Sequence, residues 1–344
     1  MNNIAKYYKI WLPLLSVFLF FSIAELICRG LDLTDKLNAD FKFYIHHVDN
    51  DLEKNYLKED ALLMWFPQPH YTDEYIKINS HGFRDREYEI KKNKKVFRIL
   101  CLGDSSTFGW DVRLQDTYHD LLENRLNKES GSNGKKFEVI NAGVPGYTSC
   151  QGLGLYKNKG IKYSPDIVTF YFGVNDPIKR FYLSDKQIMQ NDIPVAVKLI
   201  TNNFLLKLHS YRLLRKFIVT ITATGKSNGG ENVPRVSMED FKENILELNK
   251  LCKENGALLL LISPPFYEGK VSIGDLQRAK DIVLYKKELE NIAGAYNIPL
   301  IIITEMATSD NSEYFNDPAH PSPSGHKIIM DSLYDYLVTS KRLP

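Results

Sequence analysis

Five short, predominantly apolar runs constrain this chain more than any other feature: Val96–Leu102, Phe137–Asn141, Ile167–Phe172, Ala257–Ile262 and Pro299–Ile303. Runs of this length without polar alternation suit strands covered on both faces. Amphipathic stretches with helical spacing separate and follow them, at Asp116–Lys128, Cys150–Lys162, Ser237–Asn255, Asp275–Tyr296 and Ser324–Thr339. Ser237-Met238-Glu239-Asp240 supplies an N-cap with an acid three residues on, and Gly256 supplies a C-terminal stop. Strand and helix alternate five times, which predicts a parallel sheet with helices on both faces. In such a sheet the chemistry gathers at the carboxyl ends of the strands.

Composition narrows the function classes. The 344 residues hold 44 Lys+Arg against 42 Asp+Glu, a net charge of +2, so no strong field for nucleic acid is expected. With 44% hydrophobic and 25% charged residues, a disordered chain, a collagen-like fibre and a polytopic membrane protein are excluded. Four cysteines cannot form a disulfide framework. Cys101 and Cys252 read as buried small apolar groups, and a Cys101–Cys150 bridge stays open for an oxidising compartment.

The N-terminus departs from the globular pattern. Lys6 and Lys9 precede an apolar run from Ile10 to Cys28, interrupted only by Pro13, Ser16, Ser22 and Glu25. Its length suits a single bilayer-spanning helix, with Glu25 near enough to the end to reach the headgroups. A cleaved signal peptide is the alternative, since Ser22-Ile23-Ala24 resembles a cleavage site; apolar residues running straight through that site favour an uncleaved anchor. Ile27 stands where a lipoprotein signal before Cys28 needs a small residue. Flanking charges are nearly balanced, and an inside N-terminus with the bulk of the chain outside is the expected orientation. The expected organisation is an anchor (or signal peptide) at 1–30, a stem with accessory strands at 31–95, and an α/β domain at 96–340 carrying an insertion at 176–236. Within the insertion, Val195–Ile221 intersperses Leu199, Phe204, Leu205, Leu208, Leu214 and Phe217 with Lys198, Lys207, Arg212, Arg215 and Lys216. This reads as one or two helices packed on the domain, or as a lid or a basic amphipathic surface near the membrane. Thr224–Glu231 reads as a mobile loop and Lys91–Lys95 as a solvated one.

Chemistry-bearing residues fall where the topology predicts them. The first strand runs out into Gly103-Asp104-Ser105-Ser106, the second into Asn141-Ala142-Gly143-Val144-Pro145-Gly146, and the third into Gly173-Val174-Asn175-Asp176. Asp317-Pro318-Ala319-His320 precedes the last helix in a Pro-rich loop. A serine at a strand-to-helix turn offers its hydroxyl and backbone N–H at the mouth of the sheet. An acid three residues before a histidine can orient the ring so that its other nitrogen serves as base.

These four blocks, in this order, resemble those of the SGNH (GDSL) hydrolase superfamily. Gly82-Phe83-Arg84-Asp85 upstream is similar to a membrane-anchored bacterial branch of it. The resemblance implies a three-layer, flavodoxin-like parallel five-stranded sheet preceded by one transmembrane helix. It further implies Ser105 as nucleophile, His320 as general base and Asp317 as its orienting acid. The oxyanion hole would be formed by the Ser105 and Gly146 N–H groups and the Asn175 amide, with Gly146 preferred over Gly143 for its spacing from Asn141. The block reads Gly-Asp-Ser-Ser where the family usually has Leu in fourth place. No cofactor or metal is implied.

The expected reaction is hydrolysis of O-acyl esters of an envelope or extracellular polysaccharide, or of a lipid, through an acyl-enzyme outside the cytoplasm. Transfer of the same acyl group to a glycan and a non-catalytic envelope binding module are the rival readings. No Gly-x-Ser-x-Gly nucleophile elbow follows any of the five strand runs, and no Walker or dinucleotide fingerprint is present. His46, His47, His70, His81, His119 and His209 lack metal-ligand spacing, and His326 reads as a helix-start residue rather than a second base.

Overall fold

The computed structural model describes residues 2–31, 56–129, 135–180, 184–189, 204–214, 217, 233–267, 269, 271, 276–306 and 312–344. Most of the expected stem (32–55), the Thr224–Glu231 loop and residues 195–203, 215–216 and 218–221 of the insertion lie outside these. The described residues divide into two compact units. One contains the helix α1 (Asn2–Gly30), residues 59–62 and the insertion residues 204–217; the other contains the remainder. In α1 the stretch Trp11–Gly30 has a mean hydropathy of 2.1 and is long and apolar enough to cross a membrane.

The larger unit is built on a five-stranded sheet. Two short strands, β1 (Leu57–Asp60) and β2 (Met64–Pro67), come before β3 (Val96–Gly103). Next follow the one-turn helix α2 (Ser105–Phe108), α3 (Tyr118–Glu129), β4 (Lys136–Gly143), α4 (Ser149–Asn158) and β5 (Ile167–Tyr171). The strand β6 (Lys179–Arg180) and helix α5 (Asp185–Met189) open the insertion, and β7 (Val233–Pro234) closes it. The chain ends with α6 (Met238–Glu254), β8 (Leu258–Ser263), α7 (Leu276–Tyr296), β9 (Leu300–Ile302) and α8 (Pro323–Thr339). The sheet order is β4-β3-β5-β8-β9 with every pairing parallel, the flavodoxin-like order expected.

Each face of the sheet carries its own helical layer. Ile99, Cys101, Val139, Tyr171, Leu260 and Ile262 pack with Tyr118, Leu122 and Leu126 of α3 and Ile329, Leu333 and Leu337 of α8. The opposite face is covered by α4, α6 and α7, with Phe241 of α6 edge-on to Phe170 of β5. Local signals set the helix ends. Ser237 Oγ accepts the Asp240 N–H at the start of α6, and Gly256 follows its end with φ +71°. The helix expected at Cys150–Lys162 instead breaks after Asn158 into the 3-10 turn Gly160–Tyr163. Gly160 there lies against Leu100, where a Cβ would come within 2.8 Å of the leucine methyl, so the backbone turns in towards the sheet.

The open Cys101–Cys150 bridge does not form. Both are buried free thiols, Cys101 in the α3/α8 core and Cys150 on α4 beside the Met189 sulfur. Burial pushes both thiols up to about 12.

Two sets of buried charges fasten the carboxyl end of the sheet. The insertion is pinched at its base, where β6 pairs antiparallel with β7 and Arg235 meets Asp185 at 2.8 Å, the pair being 3% and 0% exposed. Arg235 also donates to Gln151 Oε1 at 2.7 Å and to the Gly146 carbonyl at 2.6 Å. Three carboxyls are buried along the same edge. Asp85 accepts the Asn141 and Arg86 N–H groups, Asp104 that of Ser106, and Asp176 those of Ser149 and Gly173. Burial raises Asp85 to about 7 and Asp104 and Asp176 to about 6, against the opposing pull of these donors.

Two outcomes are expected. Arg235→Met removes the guanidinium from the buried Asp185 carboxylate and lowers unfolding free energy by about 3–5 kcal/mol in denaturant titrations; a loss below about 1 kcal/mol would contradict it. The raised carboxyls hold their protons in the folded state at pH values where the unfolded chain has released them. Their contribution to stability therefore falls as pH rises from about 4 to about 7. The urea midpoint of Asp85→Asn should accordingly drop less between these pH values than that of the parent, and equal slopes would refute this.

Candidate active site

The residues singled out at the strand ends converge. The strand β3 ends at Gly103, and Asp104 caps α2 by accepting the Ser106 N–H at 2.9 Å, which sets Ser105 at the first helical position. The turn of α2 stops at Gly109, with φ +87°. The second strand end fixes where this helix lies. A Cβ on Gly143 would stand 2.3 Å from the Phe108 nitrogen and 2.6 Å from the Thr107 carbonyl carbon, so α2 rests directly on the β4 backbone.

Ser105 Oγ lies 2.7 Å from His320 Nε2, and His320 Nδ1 lies 2.5 Å from Asp317 Oδ2. Asp317 Oδ1 accepts the Ala319 and His320 N–H groups at 2.8 and 2.9 Å, so one carboxylate both closes the turn and orients the ring. Burial would raise this carboxyl, but the bond and charge of His320 and the two backbone donors outweigh it and hold it at about 2. Ionised, it can only accept. Nδ1 therefore carries a proton and Nε2 is left to accept from Ser105. Ser106 Oγ donates to the Ala319 carbonyl at 3.2 Å, tying α2 to the histidine loop, and Trp110 lies 6.0 Å from the His320 ring.

Of the expected oxyanion donors, Gly146 follows the end of β4 and Asn175 the end of β5. The Gly143 N–H is given to Asn141 Oδ1 at 3.0 Å. Gly146 has φ +75°, a conformation other residues adopt only with strain. Its N–H belongs to the same planar peptide as the Pro145 carbonyl, which accepts the Trp65 indole N–H at 3.0 Å. The Gly146 carbonyl is held by Arg235 and the Tyr147 carbonyl by Asn175 Nδ2 at 3.0 Å. The Asn175 amide lies 3.4 Å from Asp104 Oδ2, a weak bond that can be exchanged for another acceptor.

Three supporting residues were not assigned a role from sequence. Arg84 sits in the Gly82-Phe83-Arg84-Asp85 string already noted, and its guanidinium holds the Phe108, Gly109 and Val112 carbonyls behind α2 at 2.6–2.9 Å. Trp65 and Arg235 carry no local motif; only the folded chain brings them to Pro145 and Gly146. His326 is fully buried at the start of α8, stacks on Tyr118 and accepts the Tyr118 N–H at 3.2 Å. Burial and the Arg84 and His320 charges push it down to about 3, leaving it neutral and structural as expected.

An arylesterase of Vibrio mimicus is 29% identical over 84 residues, which is 24% of this chain and 40% of that protein. The aligned part thus spans less than half of that relative. Among solved structures, an acetyl xylan esterase, AlAXEase, is 16% identical with a TM-score of 0.47, covering 70% of this chain and all of that one. A GDSL-like lipase of Bacteroides thetaiotaomicron is 18% identical with a TM-score of 0.45, covering 74% of this chain and 93% of that one. The model of the GDSL-like lipase/acylhydrolase family matches residues 101–328, about two thirds of the 344. That span begins inside β3 and runs past the Asp317–His320 loop into α8, and the chain belongs to the GDSL-like lipase/acylhydrolase family of hydrolases.

Proposed function

We propose that this protein is a membrane-anchored serine esterase that removes O-acyl groups, O-acetyl first among them, from an envelope or extracellular polysaccharide or from a lipid. The observation that carries the reading is the continuous chain Ser105 Oγ–His320–Asp317, at 2.7 and 2.5 Å. Ser105 Oγ attacks the ester carbonyl carbon while His320 Nε2 takes its proton, and Asp317 stabilises the imidazolium. The carbonyl oxygen becomes an oxyanion received by the Ser105 and Gly146 N–H groups. The Asn175 amide joins them by giving up its long contact to Asp104. Collapse of the intermediate expels the alcohol, which takes the proton from His320 and leaves an acyl group on Ser105. Water then gives a proton to His320 and attacks the acyl carbon; as the acyl–Oγ bond breaks, His320 returns that proton to Ser105 Oγ and the acid is released.

The side chains of His320 and Asp317 are 20% and 39% exposed, so the acid–base pair lies open to solvent rather than in a sealed cavity. This favours hydrolysis over transfer of the acyl group to a sugar hydroxyl, which requires water to be kept out. The anchor reading is supported by Trp11–Gly30, and an extracytoplasmic position for the hydrolase unit is part of the proposal.

A fluorophosphonate probe on the full chain, read by intact mass and peptide mapping, is expected to give one adduct on Ser105 and none in Ser105→Ala. Absence of an adduct on folded protein would overturn the esterase reading. With acetylated glycan as substrate, free acetate is the expected product; acetyl groups moving onto an added acceptor glycan would instead establish an acyltransferase. Asp317→Asn should lower kcat by about 10²–10⁴-fold, because the imidazole loses both its tautomer and its counter-charge. Trp65→Phe keeps an aromatic side chain but loses the indole N–H and its bond to Pro145, so the Gly146 N–H is less well aimed. A fall in kcat of about tenfold with KM unchanged is expected, a fraction of the cost of deleting an oxyanion donor. A change in KM alone would count against that role.

A further inference from the structure

The exit end of α1 is covered by part of the insertion. Ser22, Ala24, Glu25 and Cys28 are withdrawn from solvent at helical spacing, whereas Phe21, Ile23, Leu26 and Ile27 on the other sides stay exposed. Glu25 shows what meets this stripe. Its Oε1 accepts the His209 N–H at 3.1 Å and Arg29 Nε at 2.7 Å, and its Oε2 accepts the Ser210 N–H and hydroxyl at 2.9 and 2.7 Å. Residues 209–214 are helical, so the acid caps that helix. A carboxylate is costly in an apolar spanning helix, and four donors here answer it.

This clamp also sets a depth. Glu25 precedes Gly30 by about 7–8 Å of helix, and amphipathic segments that lie in a bilayer surface sit about 5–10 Å into it. The side chains at that depth are unusual for a water-facing surface. Phe204, Leu208, Leu214 and Phe217 are 68%, 38%, 51% and 62% exposed, with Lys207 among them. Four large apolar groups within one short segment, next to a bare apolar helix, exceed the scattered exposure normal for soluble proteins.

We infer that residues 204–214 and 217 form a membrane-docking element, whose exposed Phe204, Leu208, Leu214 and Phe217 enter the lipid surface of the leaflet in which α1 ends. The inference rests on the reading of α1 as a spanning helix. Glu25 fastens the segment at interfacial depth, its apolar side chains reach the acyl boundary, and Lys207 meets the phosphate headgroups. The protein then holds the membrane by a span and by a surface element fastened to it.

The test places an environment-sensitive fluorophore on single added cysteines of the full chain, the four native thiols being buried. Leu214→Cys and Phe217→Cys report the segment, Leu15→Cys the span, and Lys128→Cys an exposed position of the hydrolase unit. Each is reconstituted into phosphatidylethanolamine–phosphatidylglycerol vesicles with or without brominated acyl chains. Labels at 15, 214 and 217 are expected to be blue-shifted and quenched severalfold, and the label at 128 to remain water-like. Quenching at 15 without quenching at 214 and 217 would overturn the docking element while leaving the span intact. A water-like label at 15 would instead remove the span itself, and the docking element with it. Adding Glu25→Ala should weaken quenching at 217; undiminished quenching would refute the role of the clamp in setting depth. Cross-linking between position-214 cysteines of two chains, without lipid quenching, would assign the face to a second copy and likewise overturn the inference.

Discussion

The seating of α2 on the β4 backbone is the contact on which the rest of the site depends. A one-turn helix has too few internal hydrogen bonds to hold its own position. Here it is trapped between the end of β3, from which it issues, and Gly143 of β4, which it touches atom to atom. The register that pairs Gly103 with Gly143 brings two residues without side chains together where the helix must pass. Arg84 holds the carbonyls at the far end of the turn, so Ser105 is placed by backbone contacts on every side.

The loop carrying Gly146 is held differently, through its carbonyls. Those of Pro145, Gly146 and Tyr147 are taken in succession by Trp65, Arg235 and Asn175. Because each peptide is planar, fixing an oxygen fixes the N–H on the other side of the bond. The three donors come from distant parts of the chain, and two are buried in ion-pair or aromatic contacts of their own: Arg235 with Asp185, and Trp65 edge-on to Tyr147. In the proposed reaction, such preorganisation would aim the Gly146 N–H before charge develops on the carbonyl oxygen.

Much of this architecture was legible in the sequence. The five buried strands appear as apolar runs because a sheet covered on both faces has no polar side to show, and the structure moves their ends by only one or two residues. Ser105, Asn175 and the Asp317–His320 pair were legible because the topology places strand ends together and because Asp317 and His320 are three residues apart. The supporting residues were not. Trp65, Arg84 and Arg235 act through long-range contacts to backbone carbonyls, and a carbonyl has no side-chain identity for a sequence pattern to record. Glu25 was legible only as an acid near the end of an apolar run; its partners, His209 and Ser210, lie about 185 positions further along.

The two halves of the Ser105–His320 contact differ in what holds them. The acid–base half is local: Asn316 donates to the His320 carbonyl, Asp317 closes its own turn, and Phe315 bridges to Pro321. The serine half needs the assembled sheet, and the bond between them spans 215 positions of chain. That bond depends on α8 staying docked against α3. Loosening of the C-terminal helix would separate base from serine while most strands and helices remained in place. With Ser105 and His320 in their proposed roles, activity would therefore report how the serine turn and the C-terminal helix are joined, and would fall ahead of the secondary structure as the fold begins to open.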